Sequence, residues 1–290
     1  MTVGQVQTVL ADVAPGDLGM TLTHEHLLIR FGRWRREAGM EFDRGEPSDA
    51  RDRSPITLDS VGWVRRYNGV NTNNMVLDDI DVAISEAQLY VDSGGGTLVD
   101  ATNPDLTRDP EALKRIAEAT GLKIVMGAGH YVNGFHPLDM DDRSEEDLFT
   151  EIAGDVTEGC DGTGIRAGII GEIGLEYPMH PNERKTLRAA TRASLATGAA
   201  LLIHPGRNEA SPLEAMAVVT DAGGDPARTI VGHIDRTLFD QDDMIELART
   251  GCYVEFDLFG QESSHYAFAP IDMPNDATRI DYLQRLIAEG

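Results

Sequence analysis

The sequence contains few cysteines and no long apolar run. Cys160 and Cys252 are its only cysteines, and they do not form a CxxC pair. Two cysteines are too few for a disulfide framework, so we interpret both as buried free thiols. No uninterrupted apolar run is long enough to span a bilayer, and the N-terminal sequence MTVGQVQTVLADVAPGD lacks the basic and apolar regions of a secretory signal. These absences favour a cytoplasmic protein.

Positive charge is also scarce. Lysine and arginine together number 25 against 49 aspartates and glutamates, which gives a formal net charge of −24. Long-range repulsion therefore opposes binding to nucleic acid or to an anionic membrane surface, and neither is an expected partner. The acidic surface favours solubility instead.

Length and composition permit one large α/β domain. The chain has 290 residues, of which 41% are hydrophobic, and this is enough for a substantial buried core. No internal repeat beyond a strand–helix unit, no low-complexity segment and no interdomain linker is present. We therefore interpret residues 1–290 as a single domain.

From about residue 79, helical patterns alternate with short apolar runs, which is typical of units that feed a parallel sheet. The predicted strands are Met20–Thr23, Thr97–Asp100, Lys123–Gly127, Gly168–Glu172, Ala200–His204, Thr229–His233 and Cys252–Asp257. The predicted helices are Asp79–Ser93, Pro110–Thr120, Glu145–Glu158, Asn182–Thr197, Pro212–Ala222, Gln241–Thr250 and Asp276–Glu289. Most of the strands are apolar throughout, as strands buried on both faces must be. Residues 31–74 are predicted to form a long excursion that covers the mouth of the sheet.

Four of the eight histidines fall at the carboxyl ends of predicted strands. His24 and His26, in the motif THEHL, are two residues apart, so in a strand they point to the same side. His204 ends the run AALLIH, and His233 ends TIVGH. A single His-x-His pair also fits an ordinary packing role, but the clustering favours a metal site, because imidazole is a preferred ligand of zinc and similar ions.

A carboxylate ends the fourth predicted strand. Glu172, in AGIIGEIG, follows an apolar run, where an unpaired charge is costly. Between the two pairs of histidines, its two oxygens could bridge two metal ions that trap a hydroxide. The alternative is an ion pair with an arginine.

The ordered motifs THEHL, AGIIGEIG, LLIHPGR, GHIDRT and GCYVEFDLFG resemble the phosphotriesterase family of the amidohydrolase superfamily, most of all its phosphotriesterase-related protein group. The resemblance covers essentially the whole chain and implies an α/β fold, a TIM-type (β/α)₈ barrel with a binuclear site. In that site His24 and His26 hold the more buried metal ion. His204 and His233 hold the more exposed ion, and Glu172 bridges the two.

The sequence departs from the family pattern at two places. The founding members bridge their metals with a carboxylated lysine, whereas Glu172 is a glutamate, as in the related-protein and homology-protein branches; this weakens any expectation of efficient organophosphate hydrolysis. The family also has an aspartate ligand at the end of strand eight, a position that no residue here occupies. Because a closed barrel requires an eighth strand, we expect the parent chain to extend past Gly290 by roughly 50 to 70 residues that include this aspartate.

Further residues are candidates for the substrate pocket. Tyr131 resembles the tyrosine that related lactonases place over the metals. Arg207 and Arg236 each follow a strand-end histidine by three residues, and their guanidinium groups match a carboxylate, sulfonate or phosphate. The alternative is that each arginine pairs with a neighbouring acid such as Asp235. Asp257 could orient a ligand or an arginine, and the sequence leaves both open.

The remaining loop histidines, His136, His180 and His265, are interpreted as solvent-facing. Together these features predict a hydrolase that uses a hydroxide between two divalent ions, zinc or alternatively manganese or cobalt, and no organic cofactor. The expected substrate is a small, anionic molecule with an ester, lactone, amide or phosphoester bond, and the related-protein branch suggests N-acyl amino acids or N-acyltaurines. A homodimer is compatible with the sequence. The alternative is a non-catalytic metal-binding relative or an inactive truncated scaffold.

Overall fold

The computed structural model describes residues 4–31, 54–66, 69, 71–262, 266 and 268–289. Their strands are β1 (Val6–Gln7), β2 (Asp12–Val13), β3 (Met20–Glu25), β4 (Ile29–Arg30), β5 (Val76–Leu77), β6 (Gly95–Asp100), β7 (Lys123–Ala128), β8 (Ile169–Gly174), β9 (Leu201–His204), β10 (Thr229–Val231) and β11 (Tyr253–Val254). Their α-helices are α1 (Val61–Arg66), α2 (Ile80–Asp92), α3 (Pro110–Thr120), α4 (Glu145–Thr157), α5 (Pro181–Thr197), α6 (Ser211–Asp221), α7 (Gln241–Arg249) and α8 (Asp276–Glu289).

Seven parallel strands form the main sheet, in the order β11-β10-β9-β8-β7-β6-β3. Each of the seven predicted strands corresponds to one strand of this sheet, but β10 and β11 are shorter than predicted. Strand β10 ends at Val231 because His233 turns into the left-handed region, with φ 55°. The backbone N–H of His233 then donates to the side chain of Asp257 instead of continuing the ladder.

The main sheet is curled into a half-barrel. Strands β3 and β11 lie at its two edges, yet His24 Nδ1 on β3 is only 3.3 Å from Oε2 of Glu255, the residue that follows β11. The concave side holds a small apolar cluster of Val99, Ala101, Val125, Ile169 and Leu202. The carboxyl ends of the parallel strands therefore face a common point, as in barrel enzymes.

Helices cover the convex side, and helix α3 shows how the sequence positions them. Its buried residues Leu113, Ile116 and Ala117 follow the three- and four-residue spacing of one helix face. Asp109 caps its first turn by accepting from the N–H of Ala112, and Gly121 ends it with φ 75°. This apolar face packs into the main core between sheet and helices.

The predicted excursion begins and ends beside the mouth. Strand β4 pairs antiparallel with β5, with Ile29 opposite Leu77 and Arg30 opposite Val76. The segment between them thus leaves the sheet and returns at the same place. The prediction that its middle covers the mouth concerns residues 32–53, 67–68 and 70, which lie outside the described residues.

The opposite end of the sheet is closed by the hairpin of β1 and β2. Gln7 donates from Nε2 to the carbonyls of Val156 and Ala167, at 2.9 and 2.6 Å. Cys160 and Cys252 are both buried and free, as predicted. In the described part of the chain, no helix is both long enough and apolar enough to cross a membrane.

Candidate active site

Four histidines converge on the side chain of Glu172, which is 1% exposed. His204 Nδ1 lies 2.6 Å and His24 Nε2 lies 3.2 Å from Glu172 Oε2. His233 Nε2 lies 3.5 Å from the same oxygen, and His26 Nε2 lies 3.3 Å from Oε1. The structure therefore brings together all five residues that the sequence analysis assigned to metal binding.

The fold places these side chains at the strand ends. Glu172 and His204 lie on β8 and β9, His24 lies on β3, and His233 follows β10 by two residues. His26 lies just past β3, two residues after His24, so both rings point into the same space.

The ionisation of Glu172 and His204 suits metal binding. Burial alone would raise the pKa of Glu172, but the positive charge of His24 and the hydrogen bond from His204 outweigh it and hold that pKa well below its usual value. Burial, together with the nearby charges of His233 and Arg236, holds the pKa of His204 well below 6.5, so this imidazole is neutral. An ionised carboxylate and neutral imidazoles are the forms that ligate metals. Burial lowers the pKa of His24, but Glu172, Asp257 and Glu255 outweigh it and raise that pKa well above 6.5, so a metal ion would have to displace a proton from this ring.

The donor set fits a pair of divalent cations. Four imidazoles and one carboxylate are ligands typical of zinc and similar ions. His24 Nε2 is buried without a hydrogen-bond partner, which is costly unless a cation takes its lone pair. His204 Nδ1 and His233 Nε2 lie only 2.9 Å apart, so two ring nitrogens also converge on one point.

Residues at the carboxyl end of β6 and just after it support the cluster, and the sequence analysis missed them. Thr102 Oγ1 lies 2.9 Å from His26 Nδ1, and Asn103 Nδ2 donates to the carbonyl of Glu172 at 2.9 Å. Asp100 accepts from the backbone N–H of Leu27 at 2.8 Å, which fixes the chain just after His26. The signal that could have revealed them is the polar run DATN directly after an apolar strand.

A cavity of about 440 Å³ opens beside the cluster, and the buried Arg236 also lines it. Arg236 Nη2 lies 3.1 Å from His204 Nε2 and donates to the carbonyl of Pro205 at 3.1 Å. Burial and the positive charge of Arg207 lower the pKa of Arg236. A buried guanidinium in this setting favours an anion that enters the cavity.

The alternative pairing of these arginines with Asp235 is not what the structure shows. Asp235 accepts instead from Arg279 Nε at 2.8 Å, and both side chains are fully buried. Arg207 is exposed at the rim and donates from Nε to the hydroxyl of Tyr266 at 3.1 Å. Within the described ranges, no carboxylate forms an ion pair with Arg207 or Arg236.

Tyr131 also lines the cavity. Its hydroxyl is 3.3 Å from His204 Nε2, and its ring packs against Phe135 with centroids 5.0 Å apart. His136 is half-buried rather than solvent-facing, because its Nε2 lies 2.7 Å from the carbonyl of Tyr131 and donates to it. His180, also half-buried, caps helix α5, and His265 lies outside the described residues.

The sequence matches the model of the phosphotriesterase family over residues 4–290. The chain belongs to the phosphotriesterase family. An N-acetyltaurine hydrolase from Bos taurus is 41% identical over 289 residues, which cover 99% of this chain and 81% of that protein. A phosphotriesterase-related protein from Nematostella vectensis is 38% identical over 293 residues, which cover 100% and 83% of the two chains.

A solved structure of the same shape is that of a resiniferatoxin-binding protein from Rhodobacter sphaeroides. It superposes with a TM-score of 0.91 at 32% identity, over 99% of this chain and 78% of that chain. Structural neighbours in the phosphotriesterase family are TIM barrels, so the predicted fold class and family are confirmed. Relatives in the family are named as hydrolases, and this chain is a hydrolase.

Proposed function

We propose that this hydrolase is a binuclear metal-dependent amidohydrolase that cleaves small anionic N-acyl compounds, either N-acyl amino sulfonates or N-acyl amino acids. One observation carries the proposal: a single cavity is lined both by residues of the metal-ligand cluster and by Arg236, which has no carboxylate partner among the described residues. The N-acetyltaurine hydrolase that is 41% identical supports the amide bond and the sulfonate.

The ligand cluster would hold two divalent ions, with His24 and His26 on one, His204 and His233 on the other, and Glu172 between them. When bound, such ions lower the pKa of water and polarise a carbonyl oxygen, which is the chemistry that amide hydrolysis needs. Zinc is the expected metal because the donors are imidazole and carboxylate, and manganese and cobalt are alternatives.

The rest of the cavity positions the substrate. Arg236 would bind the sulfonate or carboxylate group through charge-assisted hydrogen bonds, and Arg207 would guide that group at the rim. Tyr131 would orient the scissile amide, since its hydroxyl lies within 3.3 Å of a ligand histidine. Phe31 and Phe135, whose rings are 5.7 Å apart, form an apolar lining that would exclude water from the acyl group.

A substrate panel tests the proposal. Metal-stripped protein is reloaded with zinc, manganese or cobalt and is offered N-acetyltaurine, N-acetylglycine, the neutral analogue N-acetylethanolamine, a lactone and a phosphotriester. We expect hydrolysis of an anionic amide with a kcat/KM roughly 100-fold above that of the neutral amide, as a charged hydrogen bond of about 1.5–3 kcal/mol predicts. Cleavage of the lactone or phosphotriester alone would reject the amide assignment, and no hydrolysis with any metal would reject the enzyme.

A further inference from the structure

Asp257 contacts two of the four histidines at once. It follows β11, and its side chain is 4% exposed. Its Oδ1 lies 2.9 Å from His233 Nδ1, and its Oδ2 lies 3.1 Å from His24 Nδ1. One carboxylate therefore touches one histidine from each of the two proposed metal subsites.

These contacts determine which ring nitrogen is free to bind a metal. A neutral imidazole carries its proton on one nitrogen, and a carboxylate at Nδ1 holds the proton there, which leaves Nε2 with a bare lone pair. The Nε2 atoms of His24 and His233 face Glu172 Oε2, at 3.2 and 3.5 Å. Asp257 thus lies behind both rings, on the side opposite the ligand cluster.

Asp257 also holds the backbone that carries His233. His233 has φ 55° and ψ 31°, a left-handed conformation that is uncommon for a residue with a side chain. Its backbone N–H donates to Asp257 Oδ2 at 3.0 Å. The same carboxylate therefore stabilises the turn that directs this ring inward.

The close approach of these groups depends on Gly232. A Cβ at that position would lie 3.1 Å from Glu255 Oε2, 3.2 Å from Asp257 Oδ2 and 3.2 Å from His24 Nδ1. Such contacts are tighter than ordinary van der Waals packing, so a side chain there would push the carboxylates away from His24. The absence of a side chain at Gly232 therefore allows Glu255 and Asp257 to approach His24.

We propose that Asp257 is a positioning residue that fixes the tautomers of His24 and His233, and so prepares one ligand in each metal subsite. The inference rests on the proposed metal-dependent function. A competing arrangement exists, because His24, Glu255 and Asp257 also offer ligand atoms within 4.8 Å of one another and could themselves bind an ion. The test must separate these two roles.

The substitution Asp257→Asn separates them because an amide has one acceptor and one donor. The amide oxygen can replace Oδ2 and accept from the backbone N–H of His233 and from His24. The amide NH₂ group then faces His233 Nδ1, which must accept, so the proton of His233 moves to Nε2. His233 can then no longer ligate through Nε2, whereas His24 still can.

The matched control is Glu255→Gln. Glu255 contacts His24 Nδ1 at 3.3 Å, and none of its described contacts is to the ring of His233. We therefore expect this variant to keep the tautomer of His233. The melting temperatures of the metal-free variants should stay close to that of the parent protein, which separates a tautomer effect from a folding defect.

The experiment measures tautomers and metal binding separately. Nitrogen-15 NMR of the metal-free protein, in buffer alkaline enough to keep imidazoles neutral, should show the Nδ1–H tautomer for His233 and the Nε2–H tautomer in Asp257→Asn. Zinc titration against a chelator should then show one of two sites weakened about 10- to 100-fold in Asp257→Asn. Both sites should bind normally in Glu255→Gln.

The following outcomes would contradict the positioning role of Asp257. An Nε2–H tautomer of His233 in the parent protein, or unchanged zinc binding in Asp257→Asn, removes the positioning role. Loss of the same site in Asp257→Asn and in Glu255→Gln assigns both carboxylates as direct ligands instead. A parent protein that binds no divalent ion rejects the proposed function, and the NMR result still decides whether Asp257 sets the tautomer.

Discussion

Two groups of residues that differ in charge line the cavity. The first, the ligand wall, consists of His26, Glu172, His204 and His233, with the buried His24 in contact with Glu172. The second, the arginine wall, consists of Arg207, Arg236, Tyr266 and Phe268. The ligand wall offers lone pairs and a carboxylate, which suit cations, whereas the arginine wall offers hydrogen-bond donors, which suit an anion.

The two walls are also built differently. Glu172 and His204 lie on strands of the main sheet, so backbone pairing on both sides fixes them. Arg207 and Tyr266 come from loops, and they meet across a separation of 59 residues along the chain. A rigid wall suits chemistry that every substrate needs, whereas a wall built from loops can determine which substrate binds.

The largest effect is expected at the centre of the ligand wall. Glu172→Gln removes the negative charge that lies among four histidines, so metal affinity should fall on the order of 1000-fold, as expected when a buried charge loses its partner. Metal analysis after dialysis measures this loss. The control is Glu176→Gln, since Glu176 lines the same cavity but is not among the proposed ligands. Normal metal content in Glu172→Gln would contradict the assignment of the ligand wall as the metal site.

The sequence predicted the ligand wall but not the partners of the arginine wall. His24, His204 and Glu172 could be placed together because parallel strands end at one edge of a sheet, and a strand pattern locates those ends. The pairing of Asp235 with Arg279 could not be predicted, because it joins residues 44 positions apart through packing of helix α8. The double contact of Asp257 likewise depends on how far the sheet curls.

A second, smaller effect is expected in the arginine wall. Arg236→Met keeps an unbranched apolar stem but removes the guanidinium group and its charge, so kcat/KM for an anionic amide should fall about 10- to 150-fold. Kinetics with the neutral amide should change little, and metal content should stay normal.

Arg207→Met serves as the matched comparison for Arg236→Met. Arg207 is exposed, so water already solvates its charge and its loss should cost less. Equal losses for charged and neutral substrates in Arg236→Met would show that this wall does not recognise an anion.

Tyr131, which contacts His204 of the ligand wall, should have a modest effect on kcat. Tyr131→Phe removes only the hydroxyl that lies 3.3 Å from His204 Nε2, so kcat should fall about 10-fold while metal content is unchanged. Steady-state kinetics on zinc-loaded protein measure it, with the exposed Tyr253→Phe as control. Wild-type kcat in Tyr131→Phe would exclude a role for this hydroxyl in the reaction.

The last expected effect is on stability rather than activity and concerns His136, which lies behind Tyr131. Burial lowers the pKa of His136 from 6.5 to about 4, so between these values the unfolded chain binds the extra proton. Stability from this group is therefore present above pH 6.5 and is lost as pH falls toward 4, by about 3 kcal/mol at most. Urea unfolding of His136→Gln should show a flatter dependence on pH in that window. A slope equal to that of the parent protein would contradict this assignment.

The central claim is that the ligand wall holds two ions on which hydrolysis depends. Calorimetric titration of metal-stripped protein with zinc, with hydrolysis of N-acetyltaurine followed on the same samples, tests it most directly. We expect two equivalents of zinc per chain and full activity only when both are bound. Full activity in protein that contains no divalent ion would contradict it.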